Sequence, residues 1–347
     1  MIIEMTADAP ASTTSAILEV ARERRLVANT VVNELGGTVV GIGGSIPADQ
    51  LGLPGVARVE AVHRPYMLAS SEMRGPSTVM VGNVPVGDGE PVTMAGPCVI
   101  ESRDSLIENA IAVQRAGARI LRGGAFKPRT SPYSFQGLGE EGLRYLADAR
   151  EVTGMPVVTE VMEPDQVDLV AAYADMLQIG SRNMANFPLL KRAGTSDKPV
   201  LLKRGFSATL EEFLMSAEYV MSHGNPNVIL CERGIRGFDS AFRFNLDLNA
   251  IPALKELSHL PVIVDPSHGT GRRSLVPRMA MAGMAAGADG LILEVHPDPD
   301  SAMCDAAQTI TPGTLEQIQR GVDVLHGALA DVFMPQRQPE PMVAAAD

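Results

Sequence analysis

Basic residues, cysteine and long apolar runs are all in short supply in this chain, and each shortage excludes a class of protein. The 347 residues include three cysteines and no CxxC pair, which argues against a disulfide scaffold and suits a reducing cytosol. No stretch approaches the ~20 apolar residues that span a bilayer. No basic segment leads into an apolar run at the N-terminus, so we expect neither a membrane span nor a signal peptide. With 29 Lys and Arg against 41 Asp and Glu, the formal charge is -12, which disfavours nucleic-acid binding.

Apolar residues, in contrast, are abundant at 45% of the chain. That content offsets the entropy lost when a chain becomes ordered, so an intrinsically disordered protein is excluded. We therefore expect a soluble cytoplasmic enzyme with one large domain or two smaller ones.

Residues 1–67 have the pattern of a small α+β domain. Strand-like runs at residues 1–6, 27–32, 37–43 and 56–62 are separated by a helical pattern at 13–25 and a short one at 47–51. That order predicts a ferredoxin-like domain with a regulatory or accessory role. The glycine-rich run at residues 41–44 lacks the GxGxxG spacing before a helix, so it does not indicate a dinucleotide site.

The rest of the chain alternates short β-branched runs with amphipathic helical patterns. Residues 68–90 are predicted to form a linker and a hairpin that caps the next domain, and residues 91–331 contain eight strand–helix units. Eight units in about 240 residues are typical of a (β/α)8 TIM barrel, and an open doubly wound sheet is the competing architecture. Residues 332–347 are rich in Pro, Gln and Ala and are predicted to form a flexible tail.

Basic residues cluster at the predicted carboxyl ends of these strands, where a barrel carries its chemistry. They are Arg122, Lys127, Arg129, Arg182, Lys203, Arg204, Arg233, Arg272 and Arg273. Exposed charge is the default for any one of them, but like charges gathered on one face repel unless an anion joins them. Because Arg and Lys both bind phosphate oxygens, the sequence predicts a ligand with more than one phosphate or carboxylate group.

A second set of side chains at the same strand ends is suited to a metal ion. The set is Cys98, His268, Glu294 and Asp305. Its sulfur, nitrogen and oxygen donors suit Mn, Fe, Co or Zn better than Mg or Ca. Alternatives remain: Cys98 as a small buried hydrophobe, His268 as a phosphate ligand and Asp305 as a helix cap. Glu294 lies in an apolar run, where a carboxylate is costly unless it is paired or metal-bound. The other two cysteines, Cys231 and Cys304, are interpreted as structural.

Several motifs occur in an order that resembles one enzyme family. They are Ala95-Gly-Pro-Cys98, Leu121-Arg-Gly-Gly124, Lys127-Pro-Arg-Thr-Ser131, Lys203-Arg-Gly205, Cys231-Glu-Arg-Gly234, Asp265-Pro-Ser-His268 and Glu294-Val-His-Pro297. The chain resembles the 3-deoxy-D-arabino-heptulosonate 7-phosphate (DAHP) synthases, and among them the type I beta subgroup related to 3-deoxy-D-manno-octulosonate 8-phosphate (KDO8P) synthase. The resemblance implies a TIM barrel that condenses phosphoenolpyruvate with erythrose 4-phosphate and releases phosphate, the first step of the shikimate pathway.

The resemblance also implies a role for each candidate residue. A divalent metal, Mn²⁺ first and Fe²⁺, Co²⁺ or Zn²⁺ as alternatives, would be held by Cys98, His268, Glu294 and Asp305. The ligands of phosphoenolpyruvate would be Arg122, Lys127, Arg182, Lys203 and Arg233, and those of the aldose phosphate Arg129, Thr130 and Ser131. Lys127 would protonate the aldehyde oxygen and Glu160 would position water. Asp265 and His268 complete the predicted catalytic set.

The segment Lys127–Ser131 bears on the choice of substrate. It favours a four-carbon aldose phosphate, because the KDO8P synthases carry an asparagine-containing segment at that loop. A KDO8P-type enzyme that uses arabinose 5-phosphate is the nearest alternative, and a non-catalytic phosphate-ligand sensor is another. Val99 and the run Phe242-Arg243-Phe244-Asn245 depart from the family pattern, and we expect neither to touch a proposed ligand-binding residue.

The front domain, by the same resemblance, would bind phenylalanine or tyrosine as a feedback inhibitor. The alternative is that it only caps the barrel or aids assembly. A homotetramer is also expected from the resemblance.

Overall fold

The computed structural model describes residues 1–32, 37–47, 50–60, 64–128, 131, 133–239 and 241–333. Two units of sheet and helix follow one another along the chain. The first is a four-stranded antiparallel sheet, and the second is a closed barrel of eight strands.

The N-terminal unit has the ferredoxin-like arrangement that the sequence predicts. Its elements are β1 (Ile2–Met5), α1 (Ala11–Glu23), β2 (Ala28–Val32), β3 (Thr38–Ile42) and β4 (Val56–Glu60). The strand order is β2-β3-β1-β4, and each pairing is antiparallel. The apolar face of α1 packs on the sheet, because Ile17 and Ala21 are one helical turn apart and both buried. The short helix expected at residues 47–51 includes 48 and 49, which lie outside the described residues.

The second unit is the predicted parallel barrel. Its strands are β7 (Val92–Gly96), β8 (Ile120–Arg122), β9 (Val157–Glu160), β10 (Met176–Ile179), β11 (Val200–Lys203), β12 (Val228–Glu232), β13 (Val262–Val264) and β14 (Gly290–Glu294). β14 pairs in parallel with β7, from Gly290 opposite Val92 to Glu294 opposite Gly96. That pairing closes the sheet and excludes the open doubly wound alternative.

Helices surround the barrel between its strands. They are α2 (Arg103–Arg115), α3 (Glu140–Thr153), α4 (Val167–Tyr173), α5 (Phe187–Gly194), α6 (Leu210–Met221), α7 (Ala250–Leu257), α8 (Pro266–Thr270), α9 (Val276–Ala285) and α10 (Pro312–Phe333). α6 begins at a capping box formed by Thr209 and Glu212. α10 runs past residue 331, where the sequence pattern places the end of the barrel. In the described part of the chain, no helix is both long and apolar enough to cross a bilayer.

A hairpin seals one end of the barrel. Its strands are β5 (Val79–Val81) and β6 (Val84–Val86), as the sequence predicts. Their valines pack in one buried cluster with barrel residues such as Val92, Ile120 and Ile263, which lie near the starts of their strands. The hairpin therefore fills the N-terminal end of the barrel and leaves the C-terminal end open for a site.

The segment between the two units is attached to the outside of the barrel by buried polar contacts. The backbone N–H groups of Leu68 and Ala69 each donate to the carboxylate of Glu218 on α6 at 2.9 Å. His259 lies 2.7 Å from the carbonyl oxygen of Leu68 through Nε2 and 2.7 Å from the hydroxyl of Ser77 through Nδ1. The sequence showed no partner for His259, because both partners come from a segment about 180 residues away along the chain.

Candidate active site

A cavity of about 340 Å³ opens at the C-terminal ends of the barrel strands. Its wall carries the cationic side chains Arg122, Lys127, Arg182, Lys203, Arg233 and Arg243. The first five are the residues predicted to bind phosphoenolpyruvate. The sequence analysis did not predict Arg243 as a binding residue. The one feature that could have drawn attention to it is its place in the run that departs from the family pattern. Gathered cations of this kind suit an anionic ligand.

Glu294 is the buried acid at the centre of this rim. Its side chain is 1% exposed and lies at the end of β14, where it accepts hydrogen bonds from Arg122 Nη1 at 3.1 Å and Gln308 Nε2 at 2.6 Å. Burial raises the pKa of Glu294, but the charges of His268 and Arg122 outweigh that effect and leave the pKa below its usual value. The paired carboxylate therefore stays ionised, as a metal ligand must.

The four predicted metal ligands converge although they are far apart in sequence. Donor atoms of His268, Glu294 and Asp305 all lie within 4.8 Å of one another. Cys98 Sγ lies 3.1 Å from Asp305 Oδ2, which adds a sulfur to the group. Nitrogen, carboxylate and sulfur donors at such spacing fit a divalent transition metal. Asp305 is not a helix cap, because it lies in a loop with a left-handed backbone, φ 52°.

Cys304, which the sequence led us to interpret as structural, lies beside the same cluster. Its Sγ forms a second group with Cys98 and Asp305 in which the donor atoms also lie within 4.8 Å. Cys231, in contrast, is fully buried inside the barrel among apolar residues. Sequence analysis missed Cys304 although it directly precedes the predicted ligand Asp305.

Lys127 extends from the loop after β8 towards the donor cluster. Its Nζ lies 2.7 Å from Cys98 Sγ and 3.5 Å from Asp305 Oδ2. Burial lowers the pKa of Lys127, but its electrostatic interactions with Cys98, Glu294 and Asp305 outweigh that effect and hold the pKa above its usual value. The side chain is therefore a cation that lies on the cavity wall beside the candidate metal ligands.

Asp265 orients His268 and does not itself line the cavity. It is 1% exposed, and its Oδ2 lies 2.7 Å from His268 Nδ1 and 2.5 Å from Lys203 Nζ. Burial raises the pKa of Asp265, but His268 and Lys203 outweigh that effect and depress the pKa well below its usual value. With Nδ1 bonded to this carboxylate, Nε2 faces Glu294 at 3.4 Å. A carboxylate behind a ligating histidine fixes its orientation in many metal sites.

Glu160 lies on the opposite part of the cavity wall, at the end of β9. Gln178 Nε2 donates to its Oε2 at 3.2 Å. A side chain at Gly180 would place its Cβ 2.0 Å from Glu160 Oε1, so only glycine leaves room for this carboxylate. Glu160 thus lines the cavity at the end of β9. The role predicted for it is to position water.

Arg233 lies against two aromatic rings, and one of these contacts bears on an expectation from the sequence. Its guanidinium carbon lies 4.1 Å from the ring centroid of Phe244 and 4.9 Å from that of Phe206. We expected the departures from the family pattern to lie away from the proposed binding residues, but Phe244 contacts Arg233 and Val99 packs with Cys98. The sequence could not show the contact between Phe244 and Arg233, because it depends on the path of the connection that carries both residues.

The remaining predicted residues are divided between the cavity, other surfaces and the part of the chain not described. Ser131 lines the cavity, whereas Arg129 and Thr130 lie outside the described residues. Arg204 turns away from the cavity and pairs with Glu232 and Asp247, each at 2.9 Å. Arg272 and Arg273 line a separate open groove.

The fold and this rim define a class: TIM-barrel enzymes that act on anionic substrates with a candidate metal centre at the C-terminal end of the barrel. The sequence profile of the DAHP synthetase I family matches residues 67–328, and the chain belongs to that family.

Similar proteins agree with this assignment. A phospho-2-dehydro-3-deoxyheptonate aldolase of Thermotoga maritima is 49% identical over 297 residues, which are 84% of this chain and 88% of the relative. A 2-dehydro-3-deoxyphosphooctonate aldolase of Desulfatibacillum aliphaticivorans is 35% identical over 70% of this chain and 95% of its own. The crystal structure of the DAHP synthase of Thermotoga maritima superposes with a TM-score of 0.75 at 43% identity and covers 94% of this chain and 97% of that one.

Proposed function

We propose that this chain is a DAHP synthase. It condenses phosphoenolpyruvate with erythrose 4-phosphate and water, and it releases DAHP and phosphate at the first step of the shikimate pathway. The observation that carries the proposal is the cavity itself, whose described wall carries six cationic side chains together with His268 and Asp305 of the donor cluster. Two phosphates and one carboxylate enter with the two substrates, and this charge matches the cationic wall.

The donor cluster fits a divalent metal, with Mn²⁺ as the first expectation and Fe²⁺, Co²⁺ or Zn²⁺ as alternatives. Cys98, His268, Glu294 and Asp305 would hold it. A bound metal would supply Lewis-acid polarisation of the aldehyde. The sulfur of Cys98 needs a cation to become a ligand, because burial raises the pKa of its thiol and only the thiolate binds metal.

The protein side chains carry out the remaining steps. Arg122, Arg182, Lys203 and Arg233 hold the carboxylate and phosphate of phosphoenolpyruvate, so that its C3 faces the aldehyde carbon of erythrose 4-phosphate. As the carbon–carbon bond forms, Lys127 gives a proton to the aldehyde oxygen. Water positioned by Glu160 adds to C2 and gives one proton to that carboxylate. The bond between C2 and the phosphate oxygen then breaks, phosphate leaves with the bonding electrons, and the C2 hydroxyl gives its proton to the departing phosphate as the ketone forms. Ser131, with Arg129 and Thr130 of the same segment, would bind the aldose phosphate.

Phosphate release from phosphoenolpyruvate and erythrose 4-phosphate tests this function directly. Activity should disappear after treatment with EDTA and return on addition of Mn²⁺. Turnover unchanged by thorough chelation would remove the metal from the mechanism. Turnover only with arabinose 5-phosphate would favour the KDO8P-type alternative, and ligand binding without turnover under any condition would favour a sensor.

The N-terminal unit, residues 1–67, is proposed to be regulatory, with phenylalanine or tyrosine as the inhibitor. Its sheet packs against the linker, because Ile2 of β1 and Val39 of β3 share a buried cluster with Leu68, Ala69 and Met73. This contact gives an effector a route to the barrel. The proposal also includes assembly as a homotetramer and a location in the cytoplasm.

A further inference from the structure

The loop after β14 brings a second sulfur atom to the proposed metal centre. Asp305 belongs to two overlapping donor groups, one with His268 and Glu294 and one with Cys98 and Cys304, and within each group the donor atoms lie within 4.8 Å of one another. Both cysteine side chains are buried, at 4% and 5% exposure. Because both groups contain Asp305, the two cysteines, the histidine, the glutamate and this aspartate form one cluster of five donors.

The backbone of this loop is bent in a way that brings adjacent side chains to one site. Asp305 has φ 52°, a left-handed conformation that is unfavourable for a residue other than glycine. The carbonyl oxygen of Asp305 accepts hydrogen bonds from the N–H groups of Gln308 and Thr309 at 3.1 and 3.2 Å. On the other side, Met303 N–H donates to Glu101 at 2.8 Å. The strained conformation is thus held from both sides, and it lets Cys304 and Asp305 serve the same cluster.

The two sulfur atoms have different surroundings. Cys304 lines the active-site cavity together with Asp305 and His268. Cys98 instead borders a smaller space between β8 and β9. Cys304 therefore lies where an ion that enters from the cavity can reach it.

We propose that Cys304 is a fifth donor of the metal centre and that, with Cys98, it gives this centre a two-sulfur face for thiophilic ions such as Zn²⁺ and Cd²⁺. Sulfur ligands favour soft ions, whereas Mn²⁺ prefers oxygen and nitrogen. Loss of Cys304 should then weaken binding of the soft ions far more than binding of Mn²⁺. The inference rests on the metal centre of the proposed function. Its alternative is that Cys304 only packs against Val99 and Phe135, with which it shares an apolar cluster.

The test uses the full-length protein, freed of metal by a chelator under reducing conditions and titrated with Cd²⁺. Thiolate-to-Cd²⁺ charge-transfer absorption in the ultraviolet counts the bound sulfur atoms. The wild-type protein should give about twice the absorption of Cys304→Ser or Cys98→Ser. Zn²⁺ affinity of Cys304→Ser should fall by about tenfold or more, and Mn²⁺ affinity by less than about threefold. Cys231→Ala is the matched control, because Cys231 is buried away from the cluster, and it should leave the absorption unchanged.

Equal absorption from wild type and Cys304→Ser would overturn the inference and leave the proposed metal site intact. X-ray absorption of the Zn²⁺-loaded wild-type protein gives an independent count that needs no variant. Two sulfur neighbours support the inference, and one sulfur neighbour overturns it while Cys98 remains a ligand. If no sulfur neighbour is found and phosphate release is insensitive to chelation, both this inference and the metal part of the proposed function fail.

Discussion

At the scale of single residues, the cavity is organised by opposite charges that are buried together. Arg122 pairs with Glu294, Lys203 with Asp265, and Lys127 with the sulfur and carboxylate of the donor cluster. Removal of one partner leaves the other charge buried and uncompensated, which is more costly than loss of the pair. A substitution that removes one of these charges is therefore best read from turnover and binding measured separately.

Lys127→Met is expected to lower kcat by roughly 100-fold or more, because general acid catalysis contributes a factor of that size. Binding of phosphoenolpyruvate should weaken much less, since the other cations of the cavity remain. Steady-state kinetics, with a separate binding titration, measures both effects. Lys191→Met is the control, because Lys191 is exposed on α5. Equal losses in turnover and in binding would rule out the acid role.

Phe244→Leu is expected to raise KM for phosphoenolpyruvate by about fivefold, which corresponds to about 1 kcal/mol for a lost cation–π contact. The reason is that Phe244 holds the guanidinium of Arg233 at 4.1 Å. Leucine keeps the apolar volume but has no aromatic face. Phe238→Leu serves as the matched control, since Phe238 is fully exposed on the same connection. An unchanged KM would mean that Arg233 is positioned by its other neighbours.

At the scale of elements, the amphipathic sequence pattern predicted the buried face of a helix. It did not predict the polar contacts that attach one element to another. The sequence spacing of Phe213, Leu214, Ala217 and Val220 predicts the buried face of α6, and the structure buries all four. Nothing in that spacing indicates that Glu218, on the same helix, accepts two N–H groups from the linker. A helix is specified by local periodicity, whereas its polar partners come from a chain segment about 150 residues away.

The attachment of the linker through His259 predicts a pH-dependent stability. Burial lowers the pKa of His259 from its usual 6.5 to about 4, so the folded protein favours the neutral ring. The contribution of this lowered pKa to the free energy of unfolding is fully present above pH 6.5. It is lost as the pH falls from 6.5 towards 4, because over this range the unfolded chain binds the proton and the folded protein does not. Between pH 7 and pH 5 the loss should be about 2 kcal/mol.

Urea unfolding of the wild-type protein and of His259→Gln at both pH values measures this loss. Glutamine keeps a hydrogen-bonding side chain and does not titrate, so the variant should lose less stability between the two pH values than the wild type. His223→Gln, at an exposed position after α6, should behave as the wild type does. If His259→Gln and the wild type lost the same free energy of unfolding between pH 7 and pH 5, the loss could not be assigned to His259.

At the scale of the whole molecule, the barrel and the front unit are distinct. The family match begins at residue 67, and a truncated form of the Thermotoga maritima DAHP synthase superposes on this chain with a TM-score of 0.72, covering 76% of it. The catalytic cavity is lined by residues 122–305 of the barrel. None of the described residues of the front unit contributes a side chain to that lining.

Deletion of residues 1–67 is therefore expected to keep phosphate release from the two substrates and to abolish inhibition by phenylalanine or tyrosine. Dose–response curves with each amino acid, on the full chain and on the truncated chain, measure the effect. Circular dichroism checks that the barrel remains folded. Inhibition of the truncated chain equal to that of the full chain would contradict the regulatory role, and a full chain that neither amino acid inhibits would favour the capping role.

The sequence by itself determined the eight-stranded barrel and most of the chemical groups at its rim. Residues that end a parallel strand must lie at one end of a barrel, so Arg122, Glu160, Lys203 and Glu294 were found from strand position alone. Glu294 was recognisable as functional because an acid in an apolar run needs a partner.

Only the tertiary structure decided which side chains meet at the rim. It placed Cys304 beside Cys98, Phe244 against Arg233, and Asp265 behind His268, and it added Arg243 to the cavity wall. It also removed Arg204 from that wall by pairing it with Glu232 and Asp247. Some of these contacts join loops that follow different strands, and others depend on how the chain folds back within one connection. Local periodicity contains no information about either kind, because it describes one helix or strand at a time.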